Sequence, residues 1–266
     1  VHITRVRALE ESVNVYFAGT AGCGKSTLTS AFDQWLETQG YDSVLVNLDP
    51  GAEALPYESD IDIREWVKLR DIMDEYGLGP NGAQIAAADL LALNAPEVKK
   101  VIDEFETDYI VFDTPGQLEL FTFRESSNKI IECFGKDKSL MCFLMDPMLA
   151  RNPNGFVSSL LLAITTNFRL SIPMLTMISK SDLLSEEEIE RIQSWSADFY
   201  NLQNSLTEQV SGAQNQVSIE LLKAIETTIG GRGQVEFVSS ETMTGIEDIY
   251  DFIQEITMGG EDLEPR

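Results

Sequence analysis

Gly19-Thr20-Ala21-Gly22-Cys23-Gly24-Lys25-Ser26 fits the pattern G-x-x-x-x-G-K-[ST] without a gap, and its reading decides the fold. Glycine reaches backbone conformations closed to other residues, so several main-chain N–H groups of such a loop can point inward at phosphate oxygens. Gly22, Cys23, Gly24, Lys25, Ser26 and Thr27 are therefore candidate nucleotide-binding residues. Lys25 adds positive charge, Ser26 offers a hydroxyl to Mg²⁺, and a helix starting here aims the positive end of its dipole at the same anion. The flanks agree. Val13 to Ala18 is a short apolar run that reads as a strand, and Leu28, Ala31, Phe32, Trp35 and Leu36 recur at helical spacing.

Further apolar runs end in polar residues of the same kind of chemistry. Ser43 to Leu48 reads as a buried parallel strand ending in Asp49-Pro50-Gly51. In open α/β sheets the carboxyl edge faces the ligand, which puts Asp49 within reach of a nucleotide. Tyr109 to Phe112 delivers Asp113-Thr114-Pro115-Gly116-Gln117. A carboxylate there can hold Mg²⁺ through water, and Gly116 can present its N–H to a γ-phosphate because no side chain blocks the approach. Ser139 to Met145 and Pro173 to Ile178 read as the next strands, the latter ending in Ser179-Lys180-Ser181-Asp182. Asp182 can accept from both N1–H and the exocyclic amine of guanine, and adenine has no matching donor pair. The usual pattern is Asn-Lys-x-Asp, so Ser179 is a departure, and a Lys-x-Asp alone arises readily by chance. Val235 to Val238 reads as a last strand with Ser239 and Ser240 placed to line the base edge.

Between these strands the sequence turns helical. Asp62-Ile63-Arg64-Glu65 has the form of a capping box, which predicts a helix to about Glu75. Tyr76 to Gly82, rich in Gly with Pro80 and Asn81, must interrupt it before a second helix runs through Ala87, Leu90 and Leu91. Ser185-x-x-Glu188 opens another helical region that reaches Ile229, where Gly230-Gly231 breaks it. Thr244-x-x-Glu247 caps a final helix with Ile246, Ile249, Tyr250, Ile253 and Ile256 on one stripe. Strands alternating with helices predict an α/β, doubly wound, three-layer fold with a mostly parallel sheet. The expected organisation is one domain over residues 1–258, with helical insertions at about 59–106 and 185–230, and a frayed tail at 259–266.

Composition sets bounds. At 266 residues the chain suffices for one large domain or two small ones. Forty-four acidic against nineteen basic residues give a formal charge of -25, which repels nucleic acid and anionic lipid alike and ordinarily serves solubility. Cys23, Cys133 and Cys142 form neither a C-x-x-C pair nor an even framework, which fits a reducing compartment. The longest apolar run, Leu140 to Met145, cannot span a bilayer, and no leader-like segment opens the sequence, so a soluble cytoplasmic protein is expected.

With Gly79-Pro80-Asn81 added to the strand-end motifs, the chain resembles the GPN-loop GTPases of the SIMIBI class of P-loop NTPases, most closely the archaeal single-copy type. The resemblance covers nearly the whole chain. Its most specific parts are Asn47-Leu48-Asp49-Pro50, Asp60-Ile61-Asp62-Ile63-Arg64, Gly79-Pro80-Asn81 and Asp113 to Glu119. It implies Mg²⁺-dependent hydrolysis of GTP in a homodimer, with the Gly79-Pro80-Asn81 loop of one subunit reaching the phosphates of the other. Related dimeric phosphate-loop proteins use a second lysine early in the loop for that contact; Thr20 stands there in this chain. By the same resemblance Lys25 holds the β- and γ-phosphates, Ser26, Asp49 and Asp113 surround Mg²⁺, and Asp49 orients the attacking water. Gln117 is a second candidate for the water, and Asn81 joins the catalytic set. The alternative role is a nucleotide-gated assembly chaperone, with RNA polymerase as the client in eukaryotic members. A nickel-insertion GTPase of similar architecture expects His or Cys clusters, against which one histidine and three scattered cysteines argue.

Overall fold

A strand covered on both faces is apolar throughout, and its successive side chains feed opposite cores. The first strand shows this: β1 (Val13–Gly19) is buried along its whole length. In the computed structural model, which describes residues 12–208, 213–229 and 235–258, the chain continues with α1 (Lys25–Gln39), β2 (Ser43–Asn47), β3 (Ile61–Asp62), α2 (Leu69–Tyr76), α3 (Pro80–Ile102) and β4 (Tyr109–Asp113). Next come α4 (Leu118–Phe121), α5 (Glu125–Phe134), β5 (Ser139–Met145), α6 (Pro147–Ala150), α7 (Pro153–Leu170) and β6 (Met174–Ile178). The remainder is α8 (Glu186–Ala197), α9 (Phe199–Glu208), α10 (Ala213–Ile229), β7 (Glu236–Phe237) and α11 (Ile246–Met258).

The strands form one sheet in the order β3-β2-β4-β1-β5-β6-β7, and every pairing between them is parallel. Parallel pairs need crossovers, and the helices that make them cover both faces. Period-two alternation sorts the strand residues cleanly. Tyr16, Val46, Phe112 and Phe143 enter one core, with residues of α3, α5 and α7. Phe17, Leu45, Val111 and Cys142 enter the other, with Leu28, Phe32 and Leu36 of α1 and Ile246, Ile249 and Ile253 of α11. The chain therefore has the doubly wound, three-layer P-loop fold. On the first face Tyr16 stacks on Phe112 at 4.4 Å and Phe112 on Phe134 at 5.3 Å, which locks α5 to the central strands.

The sheet takes in more than the sequence suggests and the helices less. Ile61 and Asp62 do not start a helix: they pair with Val46 and Asn47 as an edge strand. Asp62 caps only a 3-10 turn, accepting from the Arg64 amide instead of that of Glu65, and the α-helix waits until Leu69. Gly77, left-handed with φ 62°, closes α2, and Pro80 at the first position of α3 needs no hydrogen-bond partner for its nitrogen. Ser185 and Glu188 do form a reciprocal capping box at α8. Thr244 instead bridges to Ser239, so α11 begins after Gly245, and Ile256 is exposed, off the expected stripe. His2, the Gly230-Gly231 break and the tail at 259–266 lie outside the described residues. Among those described, no helix is long and apolar enough to cross a membrane.

Candidate nucleotide-binding site

Placing β1 at the centre, with β4 and β5 on either side, collects the strand-end motifs around the loop that leaves β1. That loop turns tightly. Gly19 passes so close to β5 that an added Cβ would stand 2.5 Å from the Leu144 carbonyl oxygen, and Gly24 enters α1 at φ 94°. The Cys23 amide donates back to the Thr20 carbonyl at 3.2 Å. α1 has no side-chain cap and no acidic residue in its first turn, so its N-terminal amides remain available to an anion. The Lys25 ammonium is buried and donates to the Gly19 and Thr20 carbonyls at 3.1 Å each, while burial pushes the Cys23 thiol up against the pull of Lys25.

Asp113, at the end of β4, is buried beside this loop. Its Oδ2 accepts from the Tyr57 hydroxyl at 3.0 Å, and its Oδ1 is buried with no hydrogen-bond partner. Burial pushes the carboxyl up, and the Ser26 and Tyr57 hydroxyls and the Lys25 charge oppose that shift. An orphaned carboxylate oxygen next to a hydroxyl is a donor set that suits a hard divalent cation, so Ser26 and Asp113 fit Mg²⁺. Asp49 is differently engaged. Its Oδ1 accepts from the Gly51 amide at 2.8 Å and its Oδ2 from the Gly116 amide at 3.2 Å, which ties the end of β2 to the loop after β4. Gln117 is exposed and donates through Nε2 to Gln84 of α3 at 3.0 Å.

On the other side of the loop lies a cavity of about 260 Å³ lined by Gly24, Thr27, Lys180, Asp182, Leu183 and Ser240. Lys180, in the left-handed region at φ 50°, lays its stem along Gly24 and donates to the Gly22 carbonyl at 2.6 Å. The fully buried Ser239 donates to Asp182 Oδ1 at 2.5 Å and accepts from the Thr242 amide at 3.2 Å, which fixes the carboxylate at the cavity edge. Ser179, which also lines the cavity, donates its hydroxyl to the last carbonyl of β5, at Met145, at 3.1 Å and so ties the end of β6 to its neighbour.

Residues 17–259 match a family described as a conserved hypothetical ATP binding protein. A GPN-loop GTPase of Pyrococcus abyssi is 35% identical over 239 residues, covering 88% of this chain and 93% of that protein. The chain belongs to the GPN-loop GTPase family. GPN-loop GTPase 3 of Kluyveromyces lactis is 31% identical over 260 residues, 96% of this chain and 95% of its own length. The crystal structure of a Pyrococcus abyssi GTPase in apo form matches with a TM-score of 0.80 at 34% identity, covering 91% of this chain and 96% of that one.

The tripeptide that names the GPN-loop family occupies the start of α3. Gly79, Pro80 and Asn81 are exposed, and the space around Gly79 is open. Gln84, one turn further on, meets the loops after β2 and β4: its Oε1 accepts from Gln117, and its Nε2 lies 3.0 Å from where a Cβ on Gly51 would be. Sequence reasoning missed Gln84 and Tyr57. Helical spacing puts Gln84 on the face of Asn81, a signal that could have found it. Tyr57 lies in an irregular loop with no such pattern.

Proposed function

We propose that this chain hydrolyses GTP to GDP and phosphate as a homodimeric, nucleotide-driven switch. The description of the matching family names ATP and the relatives' names say GTPase. Asp182 carries the choice: a carboxylate held at the cavity edge by Ser239 meets the two donors of guanine, whereas adenine would leave it facing a ring nitrogen lone pair. In this reading Lys25 and the loop amides bind the phosphates, and Ser26 and Asp113, whose Oδ1 is buried without a hydrogen-bond partner, would hold Mg²⁺. Bound Mg²⁺ supplies charge neutralisation along the phosphates. The transition state of phosphoryl transfer is loose, so positioning of the water matters more than a strong base. Asp49 is the first candidate and Gln117 the second. The Gly116 amide cannot serve Asp49 and a γ-phosphate in full at once, so arrival of the γ-phosphate frees one Asp49 oxygen for water. The exposed Gly79-Pro80-Asn81 turn supports a contact in trans. A client-assembly role, with a protein complex such as RNA polymerase, is the second reading, favoured by the exposure of Leu93 at 75% and Phe168 at 83%; a client that changes turnover would support it.

Asp182→Asn tests the base reading. It should lower the preference for GTP over ATP in equilibrium binding by about 10-fold or more, from the ~1.4 kcal/mol or more that a charged hydrogen bond contributes. Binding of xanthosine triphosphate should rise, because the asparagine amide donates to the carbonyl that replaces the guanine amine. Equal affinity of the unmutated protein for GTP and ATP would contradict the assignment.

A further inference from the structure

Asp60-Ile61-Asp62-Ile63-Arg64 is a motif with no part in the nucleotide site proposed above. In the fold it is a splint beneath the turn that carries Asp49. Asp60 clamps it to β2, with its amide donating to the Leu45 carbonyl at 3.0 Å and its carboxylate accepting from the Leu45 amide at 2.8 Å. Two grips then converge on Asp62. The first runs through the fully buried Asn47, whose Nδ2 donates to Asp62 Oδ1 at 3.0 Å and to the Asp49 carbonyl at 3.2 Å, while its Oδ1 accepts from the Asp49 amide at 3.0 Å. The second runs through Arg64. Its Nε donates to both Asp62 oxygens at 2.9 Å, its Nη2 pairs with Oδ2, and its Nη1 reaches across to the Ala52 carbonyl at 2.8 Å.

The turn from Asp49 to Ala52 is thus held at its first residue by Asn47 and at its last by Arg64. Within it the Gly51 amide donates to Asp49 Oδ1, so fixing the turn fixes the direction in which the carboxylate faces. Planar guanidinium geometry suits this: one fork grips a carboxylate side-on while the remaining N–H groups serve a carbonyl at an angle that a lysine cannot match. Burial works against the charged Asp62, but the hydrogen bonds from Arg64 and Asn47 outweigh it and hold its carboxyl below the usual range, so the pair stays charge-assisted. None of these groups lines the base cavity.

We propose that Arg64 is a positioning residue for hydrolysis, acting through Asp62 and the Ala52 carbonyl to aim the Asp49 carboxylate. This rests on the reading of Asp49 as the group that orients the attacking water. A double-mutant cycle separates the two. Single-turnover hydrolysis of GTP, and GTP affinity by equilibrium dialysis, are measured for the unmutated protein, Arg64→Ala, Asp49→Ala and the double variant. Arg64→Ala should slow hydrolysis by about 10-fold or more, the scale set by small misplacements of a reacting group, with affinity changed by about twofold or less. The double variant should be no slower than Asp49→Ala, because Arg64 has nothing left to aim. Multiplying effects in the double variant, an unchanged rate in Arg64→Ala, or affinity falling in step with rate would each overturn the proposal while leaving Asp49 in place. Normal hydrolysis by Asp49→Ala would overturn it by removing the reading beneath it. Should Arg64→Ala not fold, the cycle is run with Arg64→Lys, which keeps a cation beside Asp62 and loses the reach to Ala52; the same criteria apply.

Discussion

Asp49→Ala is expected to slow GTP hydrolysis by about 100-fold while GTP affinity changes by about twofold or less, since a group that orients water acts in the transition state and little in the ground state. The carboxylate bridges the two loops that meet at the candidate site. It accepts from Gly51 in its own turn and from Gly116 in the loop where a γ-phosphate would be sensed. Removing it frees both amides, and these lie in half-exposed loops where water can satisfy them, so the fold should survive. Single-turnover rate and equilibrium affinity, measured on one preparation, separate the effects. A normal rate would transfer the role to Gln117, whose amide Gln84 holds within the same loops. Asp113→Ala should behave differently, weakening the dependence of nucleotide binding on Mg²⁺.

The other large effect is expected from mixing two inactive proteins. Lys25→Ala loses its phosphate cradle and keeps a good Gly79-Pro80-Asn81 turn; Asn81→Ala keeps its cradle and damages the turn. Each homodimer should be nearly inactive. In a mixed dimer the intact cradle of one subunit meets the intact turn of the other, so one of the two sites is whole and phosphate release should return. A turn that acts only within its own chain predicts no recovery, because every chain still carries one defect. A turn that merely redirects the chain predicts an active Asn81→Ala homodimer. Differently tagged subunits confirm the exchange, and phosphate release before and after it distinguishes the three outcomes. The exposure of Gly79, Pro80 and Asn81, with open space around Gly79, leaves these residues free to make such a contact.

What the sequence discloses is what local physics controls. The glycine-lysine loop with a strand before it and a helix after it has few alternatives, and the central strands are apolar on both faces, so fold class and strand ends follow from a linear reading. Ile61-Asp62 was hidden because two residues cannot display a period, and the hydrogen-bonding partners that make them a strand lie across the sheet in Val46 and Asn47. The neighbouring capping pattern misled for a related reason: Asp62 has tertiary partners in Asn47 and Arg64 that outbid a local helix start. The candidate base site is legible in Lys180 and Asp182, while the Ser239 hydroxyl that holds Asp182 depends on a contact 57 positions apart in the chain. Tyr57 on Asp113, Gln84 on Gln117 and Arg64 on Ala52 are likewise tertiary contacts, 56, 33 and 12 positions apart. Candidate chemical groups are easier to read from a sequence than the tertiary contacts that hold them.

The central claim is that the cleft at the end of β1 cleaves the γ-phosphate of GTP after selecting guanine. The direct measurement is phosphate release by the purified, unmutated protein with Mg²⁺ and either GTP or ATP at equal, subsaturating concentration, with Lys25→Ala as the control. Release from GTP should exceed that from ATP by about 10-fold or more, and Lys25→Ala should release almost none. Equal release from both nucleotides, or undiminished release by Lys25→Ala, would contradict the account.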